Sequence, residues 1–268
     1  MKSATIIITT IGDPALAHAV QAALNQDHPN TKVWVVTNGK EHEHRVAPIL
    51  ATFNDSRLSS WTVPENIGYE MLFGCRILAA SCYLVDSDYL LFLNNDDCMD
   101  ANHVSSLIAA IETHRWDWGY SLRKIIDKDG SFLCNDDCES LGKWPAFNGA
   151  GVHHVDLSCF CLKKEIAPSI AHSLYYRQYH DRTLLACLRQ HYPNYGTTGL
   201  YTLNYRLGGN PASVQRDFFE IGNQVMASRY PAGFPWRKNP CPGEPRPTQD
   251  TLLAPVLSAS HLASRRVS

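Results

Sequence analysis

The sequence lacks long hydrophobic runs and an excess of either charge. No stretch of 18 or more apolar residues occurs among its 268 residues, so we expect no transmembrane segment, while peripheral membrane association stays open. Lysine and arginine number 24 against 26 aspartate and glutamate residues, which gives a formal net charge of -2. Without a basic excess the chain has little to attract a phosphate backbone, so nucleic acid is not an expected partner.

The spacing of a zinc site is also missing. The chain has nine cysteines, an odd number, and the pairs Cys134/Cys138 and Cys159/Cys161 lack the doubled spacing of structural zinc sites. No charged segment followed by an apolar run opens the chain. We therefore predict a cytoplasmic protein whose cysteines are free and mostly packed as small hydrophobic residues.

Glycine-rich phosphate loops are absent as well. The turn after the first apolar run contains only Gly12, and neither G-x-G-x-x-G nor G-x-x-x-x-G-K-[ST] occurs in the chain. Any bound nucleotide must therefore be held by other groups.

The first 115 residues alternate between strand and helix patterns. Continuous apolar runs predict buried strands at Ala4–Thr10, 32–37, Leu58–Val63 and 89–93. Helical patterns follow Asp13 and Pro14, cover 69–81, and recur from Val104 to Ile111. This alternation predicts an α/β fold with a mostly parallel central sheet flanked by helices.

The second half has a different pattern. A turn at 127–130 between apolar runs predicts a hairpin of Trp118–Ile126 and 131–134, followed by a helix at His180–His191 and a strand at 197–207. We expect residues 1–230 to form a single catalytic domain. Its first half is about 1–115, and its second half, about 116–230, is the smaller, antiparallel portion. Six prolines then fall within 231–247, so residues 231–268 are predicted to be a tail or a surface wrap. The apolar stretch 252–262 fits either a docking helix or a frayed end.

Polar residues follow three predicted strands: Thr9 and Thr10, Thr37 and Asn38, and the run 94–97. Ligands bind at the carboxyl ends of strands in open parallel sheets. Adjacent carboxylates after an apolar strand are costly unless they are solvated or neutralised, as Mg²⁺ or Mn²⁺ with a diphosphate would do. A solvated turn that caps the next helix is the alternative for Asp96 and Asp97, and their location favours the metal.

The order of these motifs resembles family-two glycosyltransferases with the GT-A fold over roughly residues 4 to 213. The resemblance rests on five pieces: the opening strand, helix and strand with Asn25 and Gln26 at the helix end; the Asn-Ile-Gly step at 66–68; the run YLLFLNNDD; His180-Asp181-Arg182; and Leu203-Asn-Tyr-Arg206. The chain departs from the family pattern at Asn94 and at Thr37 and Asn38, where relatives carry aspartate, and Arg76 lies further from Asn66 than the family arginine does.

The resemblance implies an enzyme, a metal-dependent glycosyltransferase of the hexosyltransferase type that inverts the anomeric centre. Its donor would be a nucleoside diphosphate sugar, its cofactor Mn²⁺ or Mg²⁺, and its acceptor a carbohydrate or other hydroxyl compound. The implied base is Asp181, and the implied metal ligands are Asp96 and Asp97. The implied donor contacts are Thr9, Thr10, Asn38, Asn66, Arg76, Asn95 and Asp96.

Four further residues are candidates for the acceptor side: Glu139, His154, Asp156 and Arg182. The second Asn-Asp-Asp-Cys run, at 135–138, follows a hairpin and is interpreted as a solvated loop or an acceptor contact rather than a metal site. Two other functions stay open, a sugar-phosphate nucleotidyltransferase and a non-catalytic nucleotide- or glycan-binding protein. The sequence predicts no donor sugar, linkage or oligomeric state.

Overall fold

One mixed sheet forms the centre of the protein. The computed structural model describes residues 1–68, 74–149, 151–175, 180–208 and 214–237. In those ranges the strands are β1 (Ala4–Thr10), β2 (Thr31–Asn38), β3 (Leu58–Val63), β4 (Tyr89–Asn94), β5 (Cys98–Met99), β6 (Trp118–Ile126), β7 (Phe132–Asn135), β8 (Phe160–Lys163) and β9 (Tyr195–Arg206). Their order is β3-β2-β1-β4-β8-β6-β9-β5, with β7 beside β6.

The first four strands of this order are all parallel, as the sequence predicts. β1 pairs with β2 and β4, and β2 pairs with β3. Ile6, Ile7 and Ile8 of β1 are fully buried because the central strand is covered on both faces. The continuous β-branched run of β1 therefore matches its position as a central strand that is buried on both faces.

Helices connect and flank the strands. They are α1 (Leu16–Leu24), α2 (Glu43–Leu50), α3 (Cys75–Leu84), α4 (His103–His114), α5 (Ala167–Ile170), α6 (His180–His191) and α7 (Arg216–Arg229). α1 begins at Leu16, later than the predicted start at Asp13 and Pro14, because the Asp13 carboxylate accepts from the Ala15 amide at 2.7 Å in a turn before the helix instead of capping its first turn. Residues 69–73 of the predicted helix 69–81 lie outside the described residues.

Gln26, at the end of the opening helix, joins two parts of the domain. Its amide donates to the Asp100 carbonyl at 2.9 Å, and its side-chain oxygen accepts from the Val104 amide at 2.9 Å. The buried side chain thereby fixes the segment between β4 and α4 against the end of α1.

The second half of the sheet is mixed. β8 runs antiparallel between β4 and β6, the predicted hairpin forms as β6 and β7, and β5 is antiparallel to β9. The long β9 pairs with β6 in parallel, and the Trp118 and Tyr195 rings stack with centroids 4.2 Å apart. This arrangement confirms the predicted fold class. The two-residue β5 and the amphipathic α7 are elements that the sequence reading did not identify.

The segment after Tyr230 packs onto the domain as far as it is described. Trp236 is 1% exposed, so the packed part of the chain extends at least to Arg237. The rest of the predicted tail, including the stretch 252–262, lies outside the described residues. The division into halves and tail otherwise stays a prediction.

Eight cysteines lie in the described ranges, and all of them are free thiols there. Five of the eight are buried, which agrees with their predicted role as small hydrophobic residues. In the same ranges no helix is long and apolar enough to cross a bilayer.

Candidate functional site

Parallel register brings the predicted strand ends to one edge of the sheet. Thr10 pairs in register with Thr37, and Thr9 pairs with Asn94. In the turn after β4 the side-chain Nδ2 of Asn95 donates to Thr10 Oγ1 at 3.3 Å. Residues from three separate strands therefore meet where the sequence predicts a ligand site.

The first turn of α3 packs closely against this edge. A Cβ at Gly74 would lie 2.0 Å from Thr9 Oγ1, so position 74 has no room for a side chain. Two residues later, the Arg76 guanidinium lies over the Tyr175 ring, 5.0 Å from its centroid. The structure thus brings Arg76 to an aromatic ring near the start of α6, and its predicted role with the donor stays a prediction.

Asn38 and Asn66 organise the loop after β3. Asn38 Oδ1 accepts from the Ile67 amide at 3.0 Å, and Asn66 Oδ1 accepts from the Gly68 amide at 2.8 Å. Asn66 Nδ2 also lies 3.3 Å from His42 Nε2, so His42 takes part in this loop contact. The Asn-Ile-Gly step is therefore held at the end of β2.

The turn at 94–97 separates its two carboxylates. Asp97 is 1% exposed and accepts hydrogen bonds at both oxygens, from Arg206 N at 3.0 Å and from Asn94 Nδ2 at 3.0 Å. Asp96 is half-buried, and its carboxylate receives no side-chain donor and no ion pair among the described residues. Arg206 Nε donates instead to the Asp96 carbonyl at 3.0 Å, which holds the turn on β9.

The charge of the Asp96 carboxyl is only partly compensated, by its own backbone amide and by the charge of Arg206. Burial raises its pKa above the usual range, and the charges of Asp13 and Asp156 raise it further. Among the described residues no group of three histidine, cysteine or acidic side chains is arranged to hold a metal ion. A single carboxylate fits a cation such as Mg²⁺, which is held in proteins by one or two carboxylates with substrate phosphates and water as the remaining ligands.

A histidine lies beside the predicted base. Asp181 is half-buried in the first turn of α6, and its Oδ1 accepts from the Arg182 amide at 2.7 Å. His154 is 5% exposed and its Nδ1 is 3.3 Å from Asp181 Oδ2, although the atoms are not aligned for a hydrogen bond. Next to them, burial lowers the pKa of His180, while the charges of Asp181 and Asp156 oppose that shift.

Arg123 is a buried cation surrounded by three carboxylates, two of which are predicted acceptor contacts. Its guanidinium donates to Asp136 at 2.7 Å, to Asp156 at 2.6 Å and to Glu139 at 2.9 Å. Arg182 Nη2 lies 4.0 Å from the other oxygen of Glu139. Two predicted acceptor contacts, Glu139 and Asp156, are therefore anchored by an ion network that also orients them.

The interpretation of 135–138 as a solvated loop is wrong. Asp136 is fully buried, and its pKa is lowered because Arg123 and backbone amides outweigh the cost of its burial. Asp137 is also buried and accepts from Trp236 Nε1 at 2.7 Å, from the Tyr201 hydroxyl and from Arg237. Both carboxylates of this loop are therefore buried, and each is stabilised by its own set of hydrogen-bond donors.

Sequence reasoning missed Arg123 and Ser158. An arginine within the apolar run of β6 was the available signal, since a buried charge requires partners. Ser158 Oγ accepts from the Asn94 amide at 3.0 Å, and the Ser158 amide donates to Asp156 at 2.9 Å. Ser158 thus connects the end of β4 to the Arg123 network, which no local pattern indicates.

Comparisons with known proteins find similarity in structure. No protein-family profile and no curated protein matches the chain. A crystal structure of S. aureus TarS 1-349 matches with a TM-score of 0.57 and 11% identity, over 86% of this chain and 72% of that one. The TarS complex with UDP-GlcNAc matches with a TM-score of 0.57 and 13% identity over 85% and 66%, and the UDP complex with 0.58 and 12% over 85% and 65%. At these identities the likeness concerns the fold, and the chain has the GT-A-like glycosyltransferase fold.

Proposed function

We propose that the chain is a glycosyltransferase that moves a hexose from a nucleoside diphosphate sugar to a hydroxyl acceptor. The observation that carries this proposal is the meeting of polar residues from three strand ends beside the half-buried Asp96. The charge of Asp156 acts on the pKa of the Asp96 carboxyl and on that of His180, the neighbour of Asp181, which supports the assignment of Asp96 and Asp181 to one site. The TarS structures with UDP-GlcNAc and UDP, which share this fold, support a nucleotide-sugar donor.

Asp96 is the residue that we assign to Mn²⁺ or Mg²⁺. Its carboxylate has no cationic side-chain partner among the described residues, whereas both oxygens of Asp97 are occupied by hydrogen bonds. The chemistry that the cation supplies when bound is neutralisation of charge on the diphosphate leaving group. Asp97 then acts as the neighbour that holds the turn, and Arg206 holds the same turn from β9.

Asp181 is the base in this proposal. It takes the proton from the acceptor hydroxyl as that oxygen attacks the anomeric carbon of the donor. His154 packs beside Asp181 and limits the positions its carboxylate can adopt. With one base and no nucleophile assigned, the displacement occurs in a single step and inverts the anomeric centre.

The remaining candidates position the substrates. The donor side in this proposal consists of two pairs of residues. Asn95 donates to Thr10, and Asn38 and Asn66 hold the 66–68 loop. Glu139, Asp156 and Arg182 form the acceptor side, where Arg123 keeps the first two in place.

A donor panel separates this function from the two alternatives. The chain is incubated with nucleotide sugars and Mn²⁺, and the released products are identified by chromatography. A glycosyltransferase releases a nucleoside diphosphate, whereas a sugar-phosphate nucleotidyltransferase, given pyrophosphate, forms a nucleoside triphosphate and a sugar phosphate. A protein that binds nucleotide sugars but releases neither product is a binding protein, and that result would overturn the proposal.

A further inference from the structure

A groove lies on one face of the sheet, from the starts of the parallel strands to Trp61, which is in register with Val36, and none of its lining residues is a predicted site residue. It has a volume of about 520 Å³ and extends from the start of β1 and β2 to β3 and the end of α3. Thr5 and Thr10, at the two ends of β1, are separated by roughly 17 Å at the usual rise of a strand. The groove is therefore a place on the molecule that the proposed chemistry does not use.

Two tryptophans form the floor of this groove. Trp34 of β2 and Trp61 of β3 project from the same face of the sheet, because Trp34 is in register with Ser59 and Val36 with Trp61. Their rings are nearly parallel, at 11°, with centroids 6.1 Å apart. Trp34 packs against the core, whereas Trp61 is 47% exposed and presents an indole face to solvent.

The rim of the groove is polar but has no net charge. Lys32 and Asp86 line it with opposite charges, and neither forms an ion pair within the described part of the chain. The polar lining also includes Asn30, Ser3, Ser59 and the paired hydroxyls of Thr5 and Ser87, which are 2.5 Å apart. A balanced rim favours an uncharged ligand with many hydroxyls over a polyphosphate or an anionic lipid headgroup, which would meet Asp86.

We propose that this groove is a binding site for an uncharged glycan. A pyranose ring has an apolar C–H face and a polar edge. The C–H face fits the open side of the Trp61 indole, and the hydroxyls at the edge reach Lys32, Asp86 and Asn30. A glycan held here would stay close to the protein and raise the local concentration of acceptor hydroxyls. The binding itself does not require the proposed transfer activity.

The test measures binding directly. The full chain is labelled with 5-fluorotryptophan, the Trp34 and Trp61 signals are assigned with Trp34→Phe and Trp61→Phe, and cellohexaose, chitohexaose and maltohexaose are titrated by fluorine NMR. We expect at least one hexasaccharide to shift both signals saturably, with a Kd on the order of 1 mM or tighter. Trp61→Ala should weaken binding at least about tenfold, whereas Phe132→Ala, an exposed aromatic on β7, should not change it.

Several outcomes would overturn the proposal. They are the absence of a shift with all three sugars, binding that survives Trp61→Ala, or shifts produced by uncharged phosphatidylcholine vesicles but not by sugars. If Trp61→Ala does not fold, Asp86→Asn combined with Lys32→Gln tests the polar rim instead and should also weaken binding. Asp96→Asn should bind the glycan like the wild type, so a failure of the proposed catalysis and a failure of this site are distinguishable.

Discussion

His154 Nδ1 lies 3.3 Å from the Asp181 carboxylate, which places a nearly buried imidazole against the proposed base. The two residues come from different segments, the loop before β8 and the first turn of α6. A carboxylate that only caps a helix does not need such a neighbour, so this pairing makes Asp181 the first residue to test.

Asp181→Asn should abolish transfer without abolishing donor binding. A general base contributes about 10²- to 10⁴-fold in rate, whereas a lost helix cap costs only about 1 kcal/mol of stability. We expect the initial rate of transfer to fall at least about a hundredfold while donor affinity stays within a few-fold of wild type. Asp217→Asn is the matched control, because Asp217 also lies in the first turn of a helix and accepts from the next amide. An active Asp181→Asn protein would remove this residue from the mechanism.

Metal dependence should follow Asp96. Excess EDTA should abolish transfer and added Mn²⁺ or Mg²⁺ should restore it, because the carboxylate lacks a cationic side-chain partner among the described residues. Asp96→Asn should weaken donor binding measured by calorimetry in the presence of Mn²⁺, while Asp129→Asn, in the exposed hairpin turn, should not. Full activity in excess EDTA contradicts the assignment.

Arg123→Met should destabilise the protein strongly. Removing the cation leaves three buried carboxylates without their partner, a loss of about 3–5 kcal/mol in the free energy of unfolding measured with urea. Arg216→Met, which breaks an exposed ion pair with Glu220, should cost about 1 kcal/mol or less.

The cost of Arg123→Met should depend on pH. Without Arg123, burial raises the pKa of the Asp136 carboxyl in the folded variant, so the folded variant binds an extra proton and gains stability as the pH falls. The difference in the free energy of unfolding between wild type and Arg123→Met should therefore become smaller as the pH is lowered from about 7 to about 4. A difference that is constant over this range would show that packing, rather than charge, is lost.

The segment before residue 238 should be required for stability. A chain that ends at Arg237 should melt cooperatively like the full chain, whereas one that ends at Tyr230 loses Trp236 and leaves Asp137 buried without Arg237. We expect a clearly lower Tm for the shorter chain, and Asp137→Asn should restore part of the loss. Equal Tm values for the two truncated chains would refute the anchoring role of Trp236 and Arg237.

His103 should make the fold sensitive to mild acid. It is fully buried next to Thr202, and burial lowers its pKa to about 4. Because the unfolded histidine titrates near its ordinary pKa of 6.5, its contribution to stability is lost as the pH falls from about 6.5 toward 4. Between about pH 7 and about pH 5 the wild type should lose about 2 kcal/mol more than His103→Asn, measured by urea unfolding at each pH. An equal loss in both proteins would show that His103 is not the group responsible.

The sequence by itself determined the parallel strands of the first half and the edge where their ends meet. The unbroken apolar runs of β1, β2 and β4 require burial on both faces, which only a parallel sheet with flanking helices supplies. Once those strands are parallel, Thr10, Asn38 and Asn95 must share one edge. Local periodicity was therefore enough for the fold class and for the sheet edge at which the polar strand ends meet.

Only the tertiary structure decided which charges are buried and with what partners. Arg123 finds its three carboxylates 13, 16 and 33 residues away, and Asp137 finds Trp236 across 99 residues. A carboxylate in a polar run looks the same in sequence whether it faces water or a buried cation, because its burial depends on segments that come together only on folding. For the same reason the sequence does not distinguish the adjacent Asp96 and Asp97. Only the folded structure shows that Arg206 and Asn94 donate hydrogen bonds to Asp97.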